Sequence, residues 1–268
     1  MKKIKLHFCD NSHFFALQKK NKVNLVVTSP PYDNLRTYIK GEKKWTFASF
    51  KEVADGLYSV MATNSVVVWV VSDSTVNKSK TCNSFRQVLY FKKIGFKLHD
   101  TMIFNKTNPV PFEHHKRQTP AFEFMFVLVK GDLPAFNPRK EQSKTYGVCT
   151  KRARFTKKDK QYNTDAIKVQ QYKFKTNVWS YTVGTAKIDH PAVFPLQLAI
   201  DNILTWSNKG DIVLDPFMGS GTVGIAALQT GRCFIGVERV REFFNLSEKR
   251  INSELNQGSF VDPSSYME

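Results

Sequence analysis

Ile212-Val213-Leu214-Asp215-Pro216-Phe217-Met218-Gly219-Ser220-Gly221-Thr222 is the stretch on which the fold turns. A short apolar run stops at an acid and a proline. Two glycines follow, and the apolar spacing then changes to that of a helix over Thr222 to Gln229. This is a strand, a glycine-rich turn and a helix in succession. Gly219 and Gly221 can take backbone conformations closed to residues with a Cβ, and they let a ligand approach the main chain. The helix start at Thr222 offers free N–H groups to a carboxylate or phosphate. A strand over Cys233 to Val237 runs into Glu238, about where an acid commonly holds a ribose diol. Gly219, Gly221 and Gly224 satisfy GxGxxG only nominally. The preceding Asp-Pro-Phe favours a ligand with an adenosine and a charged amino-acid end, and S-adenosylmethionine fits that description.

The pattern repeats to either side. Strands are expected over residues 23–29, 65–71, 96–104, 122–129 and 211–214. Helices are expected over 50–62, 81–94, 192–206 and 241–255, with a loop over 105–120. Alternating strands and helices call for an α/β fold with a parallel sheet covered on both faces.

The first of these strands ends in Thr28-Ser29-Pro30-Pro31-Tyr32. Exocyclic base amines are poor nucleophiles because the lone pair is delocalised into the ring. Acceptors for the amine hydrogens help as the nitrogen becomes tetrahedral. Ser29 Oγ and the Pro30 carbonyl are suitable, and two prolines preorganise them. Tyr32 can stack on a base taken out of a duplex. Asp33, Arg36 and Tyr38 would order a loop over that base or pair with one another. Asp73 would cap a helix in preference to reaching a target strand.

The chain has 268 residues, 41% hydrophobic and 13% aromatic, which supports a filled core rather than disorder. Its formal charge of +17 implies a polyanionic partner. From Asp132 to Lys187 there are thirteen Lys or Arg against four Asp or Glu, with aromatics interleaved. Arg139, Lys140, Lys151, Arg152, Arg154, Lys157 and Lys158 are the expected phosphate contacts there, joined by Lys116 and Arg117 in the earlier loop. His114-His115 lacks a third ligand nearby, so no metal is expected. Cys9, Cys82, Cys149 and Cys233 form no CxxC clip and suit a reducing cytosol. The amino terminus lacks a signal-peptide core, and no apolar run reaches membrane-span length. A cytoplasmic protein is expected.

TSPPY followed by DNLRTY, then HPAVFP at 190–195, LDPFMGSGT and GVE resembles the beta group of DNA amino-methyltransferases. The resemblance covers most of the chain outside the basic insertion. It implies a Rossmann-like methyltransferase sheet in circularly permuted order, with the catalytic segment before the cofactor segment. Residues 1–131 would be the catalytic half, 132–187 a target-recognition insertion, and 188–268 the cofactor half. Ser29, Pro30, Pro31 and Tyr32 would be catalytic. The implied cofactor set is Asp10 at the adenine, His190 and Phe194 near the methionine end, Thr28, Glu238, and the turn residues Asp215, Pro216, Phe217, Gly219, Ser220, Gly221 and Thr222. Cys9 stands where the group usually has glycine before that Asp. The implied cofactor is S-adenosylmethionine and the implied partner double-stranded DNA. A cognate restriction endonuclease and a homodimer are compatible with the resemblance. Ser at position 29 favours cytosine N4 as the acceptor. Adenine N6 and a non-catalytic DNA-binding module are the alternatives.

Overall fold

The computed structural model describes residues 4–18, 21–31, 45–111, 116–156, 161–184 and 194–257. The chain begins with β1 (Ile4–Phe8) and α1 (Asn11–Leu17), then β2 (Val23–Thr28). The first two elements were not expected. β1 is five residues with Lys5 and His7 interrupting the apolar pattern, and α1 is only seven residues long. Next come α2 (Phe47–Val60), β3 (Met61–Val71), the small strands β4 (Thr75–Val76) and β5 (Ser79–Lys80), and α3 (Asn83–Lys93). Then follow β6 (Lys97–Lys106), β7 (Phe122–Lys130), β8 (Lys140–Gln142), β9 (Cys149–Thr156), β10 (Gln161–Lys168), β11 (Tyr172–Phe174) and β12 (Val178–Tyr181). The chain closes with α4 (Leu196–Trp206), β13 (Ile212–Asp215), α5 (Thr222–Gln229), β14 (Cys233–Glu238) and α6 (Arg241–Gln257).

Eight strands form one sheet in the order β1-β14-β13-β2-β3-β7-β6-β12. β1 through β3 in that order are mutually parallel, as expected. β7 is antiparallel to both neighbours. The connection from β6 to β7, residues 107–121, carries no crossover helix among its described residues, and the chain returns in the opposite direction. β12 adds a last strand parallel to β6. Residues 178–181, expected within the insertion, therefore belong to the main sheet.

Alternation along β3 explains the two cores. Val66, Val68 and Val70 join the cluster under α4 and α5, while Val67, Trp69 and Val71 join the one under α2 and α3. Trp69 is fully buried, and its indole N–H donates to Gln87 Oε1 at 2.8 Å, so the large ring leaves no polar atom stranded. Asp73, just past β3, fixes the start of α3: its carboxylate accepts from Ser84 N at 3.0 Å and from Ser84 Oγ at 2.5 Å. The capping role expected for Asp73 is the one it plays.

Parallelism brings the carboxyl ends of β1, β14, β13, β2 and β3 to one edge. The end of β6, the start of β7 and the end of β12 lie there too. In open α/β sheets ligands bind outside this edge.

Candidate active site

The glycine turn is clasped from several sides. Gly219 N donates to Glu238 Oε2 at 2.8 Å, and Val240 N to Glu238 Oε1 at 2.8 Å. Met218 N reaches Val237 O at 3.0 Å, and Gly221 N reaches Met218 O at 2.9 Å. Arg250 on α6 donates to the Ser220 carbonyl. Burial pushes the Glu238 carboxyl up, against the pull of the N–H groups it accepts from. Glu238 is thus first a clasp on the turn, its carboxylate accepting from the backbone N–H groups of Gly219, Arg239 and Val240.

Gly221 has φ of +80° and precedes α5 without any side-chain cap, so the first N–H groups of that helix have no capping side chain. A Cβ at Gly221 would stand 3.0 Å from Ser247 Cβ on α6. Gly224, third of the GxGxxG spacing, lies against Phe234 and Ile251, where a Cβ would come within 2.7 Å of the Phe234 ring. Its use is close packing of helix on strand.

Two residues expected to face the cofactor bind each other. Thr28 Oγ1 donates to Asp215 Oδ1 at 2.7 Å, and Phe217 N donates to the same oxygen at 3.0 Å. Both side chains are buried. Burial pushes the Asp215 carboxyl up to about 7; the two donors oppose that shift and the charge of Glu238 adds to it. The pair joins the end of β2, which carries Ser29, to the end of β13, which carries the turn. Phe217 packs its ring at 5.2 Å and 90° to Trp45 and 6.3 Å from Trp69. Its side chain packs against the core under α2 and α3.

Asp10 lies past β1 on the same edge. It caps α1, accepting from His13 N at 2.8 Å and Ser12 Oγ at 2.7 Å, and these bonds hold its carboxyl below the usual range. Asn11 was missed by the sequence reading. Its Nδ2 donates to the Pro216 carbonyl at 2.9 Å, while its buried Oδ1 accepts no hydrogen bond among the described residues. An orphaned acceptor beside the turn suits a ligand with amino or hydroxyl donors. Its only sequence signal was its place after Asp10.

Ser29 is half-buried, Pro30 buried and Pro31 half-buried, directly after Thr28. Tyr32, Asp33, Arg36, Tyr38, His114, His115 and His190 lie outside the described residues. Phe194 packs at the margin of the core under α4 and α5. Among the described residues no cluster of His, Cys, Asp and Glu could hold a metal ion, and no helix is long and apolar enough to cross a membrane.

The basic residues divide. Lys116, Arg117, Lys140 and Lys151 are exposed. Arg152 and Arg154 lie on β9, and their side chains, like Lys157 and Lys158, are outside the described set. Arg139 corrects the expectation. Its side chain is 10% exposed and its Nε lies 3.4 Å from Asp201 Oδ1. Asp201 also accepts from Lys175 Nζ at 3.3 Å, Tyr181 Oη at 2.7 Å and Gln197 Nε2 at 3.1 Å. Arg139 enters and Lys175 leaves the projecting segment, and Lys175 N donates to Arg139 O at 2.9 Å. Arg139 is therefore a fastening of that segment to α4 rather than a phosphate contact.

A doubly covered sheet with a clasped glycine turn and an acid on the next strand defines a Rossmann-like methyltransferase fold. Residues 23–249 match the N6/N4 methyltransferase family model, described as DNA methylase. The orphan methyltransferase M.BamHII of Bacillus amyloliquefaciens is 38% identical over 244 residues, 86% of this chain and 89% of that protein. Among solved structures, TTHA0409 of Thermus thermophilus complexed with S-adenosyl-L-methionine is 25% identical, with a TM-score of 0.62 over 93% of each chain. The cytosine-N4-specific PvuII DNA methyltransferase shares the fold, with a TM-score of 0.65 at 16% identity, over 96% of this chain and 92% of that one. The chain belongs to the N6/N4 DNA methylase family, whose cofactor is S-adenosylmethionine.

Proposed function

We propose that this protein transfers a methyl group to N4 of a cytosine swung out of duplex DNA, in the cytoplasm and within a short specific sequence. The observation that carries this reading is the Thr28–Asp215 bond of 2.7 Å, which sets the Ser29-Pro30 acceptors beside the glycine turn. Bound there, S-adenosylmethionine supplies an electrophilic methyl on a sulfonium. The Gly219–Thr222 turn and the uncapped start of α5 would hold its amino-acid end. Glu238 would take the ribose, and Asp10 with Asn11 the adenine. His190 and Phe194 would close the methionine end.

Ser29 Oγ and the Pro30 carbonyl accept from the base amine as its nitrogen turns tetrahedral, which localises the lone pair for direct displacement. Tyr32 stacks on the extruded ring. Residues 1–131 and 188–268 form the catalytic and cofactor halves, and the projecting part of 132–187 reads the duplex. Ser29 in the place of an acid tilts the acceptor toward cytosine. Likeness to an orphan methyltransferase favours work without a paired nuclease.

The test is to incubate the protein with labelled cofactor and DNA containing all short sequences, digest, and identify the nucleoside. N4-methylcytosine is expected. N6-methyladenine would move the acceptor to adenine, and no methylation at all would overturn the enzyme reading.

A further inference from the structure

The β4–β5 hairpin is an accessory that the sheet does not require. It leaves β3 on the same edge as Ser29, since Thr28 is level with Trp69 and the hairpin begins four residues after Val71. Thr75 pairs with Lys80 and Val76 with Ser79, which leaves a two-residue loop of Asn77 and Lys78. Both loop residues have positive φ, 48° and 62°. That is the turn whose twist matches a two-stranded ribbon, so the tip is a stiff projection. All six residues are exposed. The base is anchored: Lys80 Nζ donates to Asp73 O at 3.0 Å and Thr81 N to Ser74 O at 3.1 Å.

A second basic segment meets this tip. Arg117, from the β6–β7 connection, donates to the Lys78 carbonyl. Lys78, Lys80, Lys116 and Arg117 thus converge from two parts of the chain. Among the described residues no carboxylate pairs with Lys78, Lys116 or Arg117, and the carboxylate of Asp73 is occupied by Ser84 and Thr81. At no more than about 3.5 Å per residue, the tip stands within about 25 Å of the end of β3. An uncompensated cationic cluster on that edge is within reach of the backbone of a duplex presented to Ser29.

We propose that the hairpin tip, with Lys116 and Arg117, grips the DNA phosphate backbone beside the flipped base, separately from the recognition segment over 140–174. This rests on the DNA-methylating function proposed above. A grip of this kind positions without reading sequence.

The experiment compares K78Q/K116Q with K22Q/K209Q, which removes the same charge at the opposite edge of the sheet. Duplex binding is measured from 50 to 300 mM salt. Each lost phosphate contact lowers the slope of log K against log salt by about 0.9 and weakens binding severalfold near 0.15 M salt. K78Q/K116Q is expected to lose one to two such contacts while keeping cofactor affinity and the methylated sequence. K22Q/K209Q is expected to keep the slope. Equal slopes for K78Q/K116Q and the unmodified protein would overturn the hairpin grip while leaving the function intact. Failure of the unmodified protein to bind any duplex would overturn both.

Discussion

Thr28 and Asp215 belong to neighbouring strands 187 positions apart, and their bond adds to the β2–β13 pairing in tying the strand that carries Ser29 to the strand that carries the glycine turn. Asp215 has a folded-state pKa of about 7 against an ordinary 3.8. Between those values the folded protein holds a proton that the unfolded chain has lost. Its stabilising contribution is therefore complete below about pH 4 and falls as pH rises through 7. Asp215→Asn keeps an acceptor for Thr28 and Phe217 but cannot titrate. In urea unfolding from pH 5 to 8, the unmodified protein should lose stability relative to Asp215→Asn as pH rises, by up to roughly 1.4 kcal/mol per pH unit. Parallel profiles would place the Asp215 pKa near its ordinary value. Tyr32 is the residue proposed to stack on the flipped base. Base–aromatic stacking is worth about 1–3 kcal/mol, so Tyr32→Ala should lower turnover roughly 10- to 100-fold with cofactor affinity unchanged. An equal loss of both would put Tyr32 in the cofactor pocket.

Among the elements, α4 does more than cover the sheet. Asp201 in its middle receives both ends of the projecting segment through Arg139 and Lys175, and receives β12 through Tyr181. Burial beside that carboxylate raises the Tyr181 hydroxyl well above its ordinary range, so it stays a donor. Asp201→Ala would leave two cations facing a buried gap. Losing one partner of a buried ionic group costs about 3–5 kcal/mol. That corresponds to a fall in melting temperature on the order of 10 °C for a chain of this size. Calorimetry should show this fall, and DNA affinity should drop more than cofactor affinity because the segment loses its fastening. A stability change within about 1 kcal/mol would mean that solvent already satisfies the cations. Asp201 was invisible in the sequence because its partners stand 4 to 62 positions away and nothing local marks them. Arg139 was misread for the same reason: a basic residue in a basic segment looks like a phosphate contact until its acid is found on another helix.

Across the whole molecule, legibility followed burial. Strands such as Val66 to Val71 and helices such as Leu196 to Trp206 are apolar because both their surroundings and their spacing are fixed, so their patterns could be read. The glycine turn was readable because backbone geometry restricts the residues allowed there. β1, α1 and the small strands from β8 to β11 were not, since short, half-exposed elements take their shape from partners distant in sequence. The same contrast makes the projecting segment separable. No described residue from 140 to 174 contributes to either buried cluster, and β8 and β11 already meet, with Ser143 N donating to Gln171 O at 2.8 Å. Replacing residues 144–170 with a short Gly-Ser turn should leave the melting temperature within a few degrees and cofactor affinity unchanged. It removes eight Lys or Arg and two Asp, so the salt slope of DNA binding should fall by several units and sequence-specific methylation should disappear. Retention of the original methylated sequence by this variant would move target reading out of the segment and onto the sheet edge itself.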